Sequence, residues 1–108
     1  MIGKNNSITR MPRSRIERIR EKIRLRQYDM SAHAMEEMAE DRLDITDIER
    51  TVLNGRIVRI EKDDPRGTKY VIQGAAVNQI TPVEVVGRFT GNGRYLIITV
   101  YEVTDIEG

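Results

Sequence analysis

Apolar positions along the chain change period once, from helical to extended, near residue 55. In the first half Ile16, Ile19 and Ile23 recur at i, i+3 and i+7, a narrow stripe that predicts a helix over about 14–27. Arg15, Arg18, Arg20, Lys22, Arg24 and Arg26 cover its other faces. Ser31 is a good N-cap for a second helix, about 31–42. Met35, Met38 and Ala39 form its apolar stripe, and Glu36, Glu37, Glu40 and Asp41 face water. Thr46 and Glu49 have the spacing of a capping box for a third helix, about 46–54. Its Ile48, Val52 and Leu53 point inward, and Asn54-Gly55 supplies a left-handed end.

Beyond Gly55 the period is two. Strands are predicted at about 56–61, 69–74, 83–90 and 94–103, separated by the turn Asp63-Asp64-Pro65-Arg66-Gly67 and the hairpin signal Thr90-Gly91-Asn92-Gly93. Tyr28-Asp29-Met30 reads as an extended link, and 74–79 as a loop or a distorted strand end. In the last strand Leu96, Ile98 and Val100 alternate onto the core, with Tyr95, Ile97, Thr99 and Tyr101 opposite. The expected core is Met35, Met38, Ile48, Val52, Leu96, Ile98 and Val100. The fold class is α+β: three N-terminal helices on one face of a four-stranded, mainly antiparallel curled sheet. Residues 1–12 read as a mobile leader, 13–108 as a single domain, and 104–108 as a fraying tail.

Composition narrows the chemistry. The chain has 108 residues, one histidine and no cysteine, so disulfides and thiolate metal sites are ruled out. A zinc site would need three carboxylates or a second chain, and no cofactor is expected. No apolar run approaches the roughly 18 residues of a membrane span, and the N-terminus lacks the apolar core of a secretory signal. The cytoplasm is the default compartment. Net charge is +1, but residues 1–26 hold nine Lys/Arg against two Glu, whereas 27–108 hold nine against fifteen Asp/Glu. A basic arm on an acidic body can bind nucleic acid, an acidic partner or its own body.

His33 falls second in its helix, where the helix dipole disfavours imidazolium and leaves a ring able to accept a proton. It serves either as a base or as a helix-start histidine bonded to a nearby carbonyl. The basic first helix is either an electrostatic footprint for RNA or DNA or a solvated helix docked by three isoleucines. Thr99 and Tyr101, on the open face of the last strand, are either ligand groups or β-formers on a solvated surface.

Taken together, Ser31, His33, Ala34, Met38 and Arg42, then Asp47 and Glu49, Asn54-Gly55, Asp63 to Gly67, and Ile97-Ile98-Thr99-Val100-Tyr101-Glu102 resemble the domain-of-unknown-function family numbered 4258. The resemblance runs from about Ile16 to Val103. It implies a small ribonuclease-type toxin fold like that of barnase-like and RelE-like proteins, and a zinc-ribbon, DNA-binding antitoxin as partner. Family members commonly carry arginine before the methionine of the histidine helix, where this chain has Glu37, one turn from His33. Such a carboxylate would raise the histidine pKa and repel a phosphate.

Metal-free RNA cleavage needs a base for the 2′-OH, an acid for the 5′ oxygen and cations around the phosphorane. The catalytic set is then His33, Tyr101 and Thr99. Phosphate and RNA would be held by Arg42, Lys69 and Arg88, with Arg15, Arg18 and Lys22 on the arm. Two classes of function follow: a metal-independent endoribonuclease of toxin type, weakened or inactivated by Glu37, or a non-catalytic RNA- or protein-binding module with the same fold. If the arm binds RNA, reversing the charges of Arg15, Arg18 and Lys22 is expected to weaken binding to single-stranded RNA and to flatten the log K against log salt slope by roughly 2. Fluorescence anisotropy across a salt series measures this; unchanged affinity and slope would leave the arm a solvated helix.

Overall fold

A computed structural model describes residues 14–78 and 80–103. The leader over 1–12 and the tail over 104–108 lie outside the described residues. Among these residues three helices, α1 (Arg15–Arg24), α2 (Ala32–Glu40) and α3 (Ile45–Asn54), precede most of the sheet. The strands are β1 (Tyr28–Met30), β2 (Arg56–Glu61), β3 (Lys69–Ala75), β4 (Pro82–Phe89) and β5 (Tyr95–Glu102).

Caps set the helix ends. Ser14 Oγ accepts the Glu17 N–H at the start of α1, and Ser31 Oγ accepts that of Ala34 at the start of α2. Both helices stop earlier than the sequence predicts, at 24 and 40, because an arginine turns left-handed behind each. Arg26 has φ 58° and Arg42 φ 57°. Behind them Gln27 N donates to Lys22 O and Leu43 N to Met38 O, both at 2.8 Å, which closes two Schellman motifs. The capping box of α3 is Asp44 with Asp47, not Thr46 with Glu49, so the helix begins one residue earlier. Asp47 Oδ2 accepts the Asp44 N–H at 3.0 Å, and its Oδ1 also takes the Val77 N–H at 2.8 Å. That second bond ties the β3–β4 loop to the helix start. Gly55 does not turn left-handed, at φ −90°. Glycine is needed there for proximity: a Cβ would collide with the carbonyl oxygens of Thr51 and Gln73.

The sheet is open, with order β1-β5-β4-β3-β2. It has five strands rather than four and is mixed, because β1 runs parallel to β5 with Tyr28 opposite Tyr95 and Met30 opposite Ile97. Three residues are too few to show a period, and this pairing is fixed from outside. Tyr95 N donates to Gln27 O, Ser31 N to Ile97 O, and the Arg94 guanidinium grips Asp29 at 2.7 and 3.2 Å and the Tyr28 carbonyl at 3.0 Å.

The core forms between the helices and one sheet face. Ile19 and Ile23 of α1 and Ile48 and Val52 of α3 meet Tyr70, Ile72, Val83, Val85, Tyr95, Ile97 and Val100, all buried. The face assignment of β5 needs a correction. Val86 pairs with Thr99 but Gly87 with Ile97, so Ile98 is an extra residue in a β-bulge. A bulge shifts the alternation by one. Tyr95 and Ile97 therefore face the core and Leu96 and Ile98 do not, while Val100, beyond the bulge, is buried as expected. Met38 packs partly buried against the core, but Met35 is 50% exposed. The buried line of α2 runs through Ala34 and Met38, and Met35 falls beside it.

Tyr95 packs edge-on against Phe89 at 5.2 Å, over Gly87, where a Cβ would strike its ring. Its hydroxyl is buried and finds no hydrogen-bond partner among the described residues. A buried hydroxyl left unpaired costs roughly 1–3 kcal/mol. Tyr95→Phe is accordingly expected to leave stability unchanged or to raise it by up to about that amount. Urea denaturation measures the difference; a loss above 1 kcal/mol would show that the hydroxyl is bonded.

Candidate functional site

Cross-strand register sorts the polar side chains of the sheet. With Ile72, Val85 and Val100 aligned on the core face, their neighbours Gln73, Glu84 and Tyr101 align on the other. Arg56 extends that row on β2, and Arg59, Val71, Val86 and Thr99 form the next. Arg88 and Lys69 alternate onto the same outer face. All three helices belong to the other side or to the β5 edge, so no described helix covers this one.

The centre of the outer face is a carboxylate. Glu84 is only 8% exposed, the one buried acid among the described residues. Gln73 Nε2 donates to its Oε2 at 2.9 Å, and the Tyr101 hydroxyl donates to its Oε1. The Arg59 guanidinium lies against the Tyr101 hydroxyl and also reaches Glu61 at 3.3 Å. Burial first, then the bond to Glu84, push the Tyr101 pKa up, while Arg59 opposes them. Tyr101 is therefore a protonated donor at neutral pH. Sequence reasoning names Tyr101 and Thr99 but misses Glu84, Gln73 and Arg59. A signal for Glu84 is present: a lone acid inside the strand Pro82-Val83-Glu84-Val85-Val86, where a charge is placed only with partners.

His33 occupies different ground. It is the second residue of α2, as expected, and its Nε2 lies 3.2 Å from Glu37 Oε2 with the ring 64% exposed. Glu37 Oε1 accepts the Val100 N–H at 3.0 Å. The histidine thus hangs over the β5 edge, whereas Tyr101 points from β5 toward β4. The two share no hydrogen-bond partner among the described residues.

The named cations divide in the same way. Lys69 faces outward but is held between Glu61 at 3.7 Å and Asp64 at 3.8 Å. Arg88 donates to the Arg66 carbonyl at 3.3 Å. Arg42 closes the far end of α2, at the opposite terminus from His33. Arg15, Arg18 and Lys22 ride on α1, across the sheet from Tyr101. There Arg18 stacks on Phe89 at 4.6 Å and, with Lys22, Glu21, Thr90 and Gly93, lines a cleft of about 450 Å³. Among the described residues no group of three or more His, Cys, Asp or Glu could hold a metal ion, and no helix is long and apolar enough to cross a membrane.

The position of Glu37 yields a stability prediction. Glu37→Arg removes the acceptor of a part-buried backbone N–H and is expected to cost about 1–3 kcal/mol. Glu37→Gln keeps an acceptor oxygen and is expected to cost less. Urea melts of the two variants check the order; equal stabilities would mean that water replaces the carboxylate without loss.

Residues 30–102 match the family described as Domain of unknown function (DUF4258). The match begins in β1 and ends with β5, so it takes in the Ser31–His33 helix start, the outer row and the bulged last strand, and leaves α1 outside. No curated protein and no solved structure matches the chain. Covering well over half of the sequence, the match is sufficient: this chain belongs to the DUF4258 family.

Proposed function

We propose that the outer sheet face binds single-stranded RNA and cleaves it without a metal ion, as an endoribonuclease of toxin type whose natural partner is a zinc-ribbon antitoxin. The observation that carries this reading is the buried Glu84 carboxylate, bonded by Tyr101 beside Arg59 on a face no described helix covers. An acid–base group and a proton donor in one cross-strand row, with a guanidinium from the adjacent row, are the parts that transfer through a 2′,3′-cyclic phosphate requires. Arg56 continues the row on β2, Thr99 lies in the row beside it, and Tyr101 offers a ring edge to a base. Toxin type and antitoxin partner come from the resemblance to RelE-like and barnase-like proteins alone.

A binding-only reading is favoured by one contact. Glu37 stands where relatives commonly carry arginine, and it accepts the Val100 N–H and lies 3.2 Å from His33, so that corner presents an anion instead of a phosphate clamp. Incubation of end-labelled single-stranded RNA with the protein in EDTA separates the two readings. Cleavage is expected, with 2′,3′-cyclic phosphate ends, and Arg59→Ala is expected to weaken binding about tenfold. Binding without products would leave the binding module; neither binding nor products would remove RNA from the account.

A further inference from the structure

The outer row contains more than a charged surface. Glu84 is nearly closed off from solvent by its own partners, while Tyr101 and Arg59 stand in front of it, partly and largely exposed. A substrate on this face therefore meets the phenol and the guanidinium, and reaches the carboxylate only through them. The carboxylate has two oxygens and two donors: Gln73 holds Oε2 and orients the group, and Tyr101 donates to Oε1. Gln73, Glu84 and Tyr101 are consecutive partners across β3, β4 and β5, so their spacing is fixed by sheet register rather than by a loop.

Resting on the reading that this face handles RNA, we infer that Tyr101 and Glu84 form a proton relay in which Tyr101 touches the substrate and Glu84 behind it stores the proton. The 2′-hydroxyl passes its proton to the Tyr101 oxygen as Tyr101 passes its own to Glu84. The 2′-oxygen lone pair then forms the bond to phosphorus, and the bond from phosphorus to the 5′ oxygen breaks. Its electron pair leaves on that oxygen, which takes a proton from water. The stored proton returns from Glu84 through Tyr101 to neutralise the hydroxide so formed. Arg59, against the phenol, offsets the negative charge on the phosphorane. His33, 3.2 Å from Glu37 on the β5 edge, has no part in the relay.

Because the two groups act as one, their removal should be non-additive. On single-stranded RNA in EDTA, Glu84→Gln and Tyr101→Phe are each expected to lose at least about 100-fold in rate, and the double variant no more than the slower single. His33→Ala is expected to stay within about threefold of wild type. Affinity for an uncleavable RNA with a 2′-deoxy sugar at the scissile position should hold within about threefold in all, separating chemistry from binding. Should Glu84→Gln fail to fold, Tyr101→Phe carries the test through a proton inventory. A relay moves two protons at once, so the wild-type rate curves against deuterium fraction, and that curvature should vanish in the variant. Wild-type rates in either relay variant, additive losses, or an inactive His33→Ala beside an active Glu84→Gln would each overturn the relay while leaving RNA cleavage standing. RNA that is bound but never cleaved overturns the relay and reduces the function to binding; RNA that is not bound at all removes the functional reading itself.

Discussion

The edge of β5 governs how this domain is assembled. β1 pairs with β5 only as far as Ile97, so its last five residues would leave a row of backbone groups unpaired at a sheet edge, which is costly and invites association. Helix α2 answers them with side chains. Ser31 Oγ donates to Ile98 O at 2.9 Å, Glu37 accepts from Val100 N at 3.0 Å and Asp41 accepts from Glu102 N at 2.9 Å. Residues 98, 100 and 102 are thus served by three positions on one side of a helix running along the strand. Glu37 on α2 and Asp41 at its C-cap are therefore edge partners, not solvent decoration. The same constraint gives a reason for Glu37: a guanidinium has no acceptor to offer the Val100 N–H.

This arrangement also decides which face stays open. With α1 and α3 on the core face and α2 on the edge, no described helix is left to cover the other side. The bulge at Ile98 then matters. Without it, a strict alternation that puts Tyr95 and Ile97 in the core would carry Thr99 and Tyr101 inward with them. The extra residue returns Val100 to the core and turns Tyr101 outward beside Glu84. Bulges often re-aim side chains near functional sites, and here the re-aimed group is the phenol of the outer row.

What the sequence makes legible is local. Ser31 reads as an N-cap because a small hydroxyl stands before an amphipathic run, and Ile19, Ile23, Ile48 and Val52 read as core because helical spacing repeats. β1 is not legible, since three residues carry no period and their partner lies 67 positions away at Tyr95. The bulge is not legible either: Leu96, Ile97, Ile98 and Val100 are all apolar, so alternation fits two phases equally well and only pairing with β4 chooses. Thr46 and Glu49 have the correct capping-box spacing, yet Asp44 and Asp47 have it too, and Asp47 gains a further bond to Val77. For the candidate site, Tyr101 is visible from one strand, but its row with Glu84 and Gln73, and the approach of Arg59 from the next row, exist only across strands.

Charge shows the same limit. The lysines and arginines of residues 1–26 suggest a broad basic footprint, but part of it is structural. Arg20 donates to Val52 O at 3.3 Å and Gly55 O at 2.8 Å, binding α1 to the end of α3, while Arg26 pairs with Glu49 at 3.5 Å. The outer face, by contrast, interleaves Arg56, Arg59, Lys69 and Arg88 with Glu61, Asp64 and Glu84. Asp64 is held down to about 2 by the Arg66 side chain and backbone N–H, with a smaller contribution from Lys69. Mixed signs at this spacing cancel beyond about a Debye length, roughly 8–10 Å in physiological salt. A phosphate would therefore be drawn to this face by individual guanidinium groups at contact distance rather than by a long-range field. For such a ligand the first contact would fall to Arg59, the cation beside Tyr101, and position on the face would matter more than net charge.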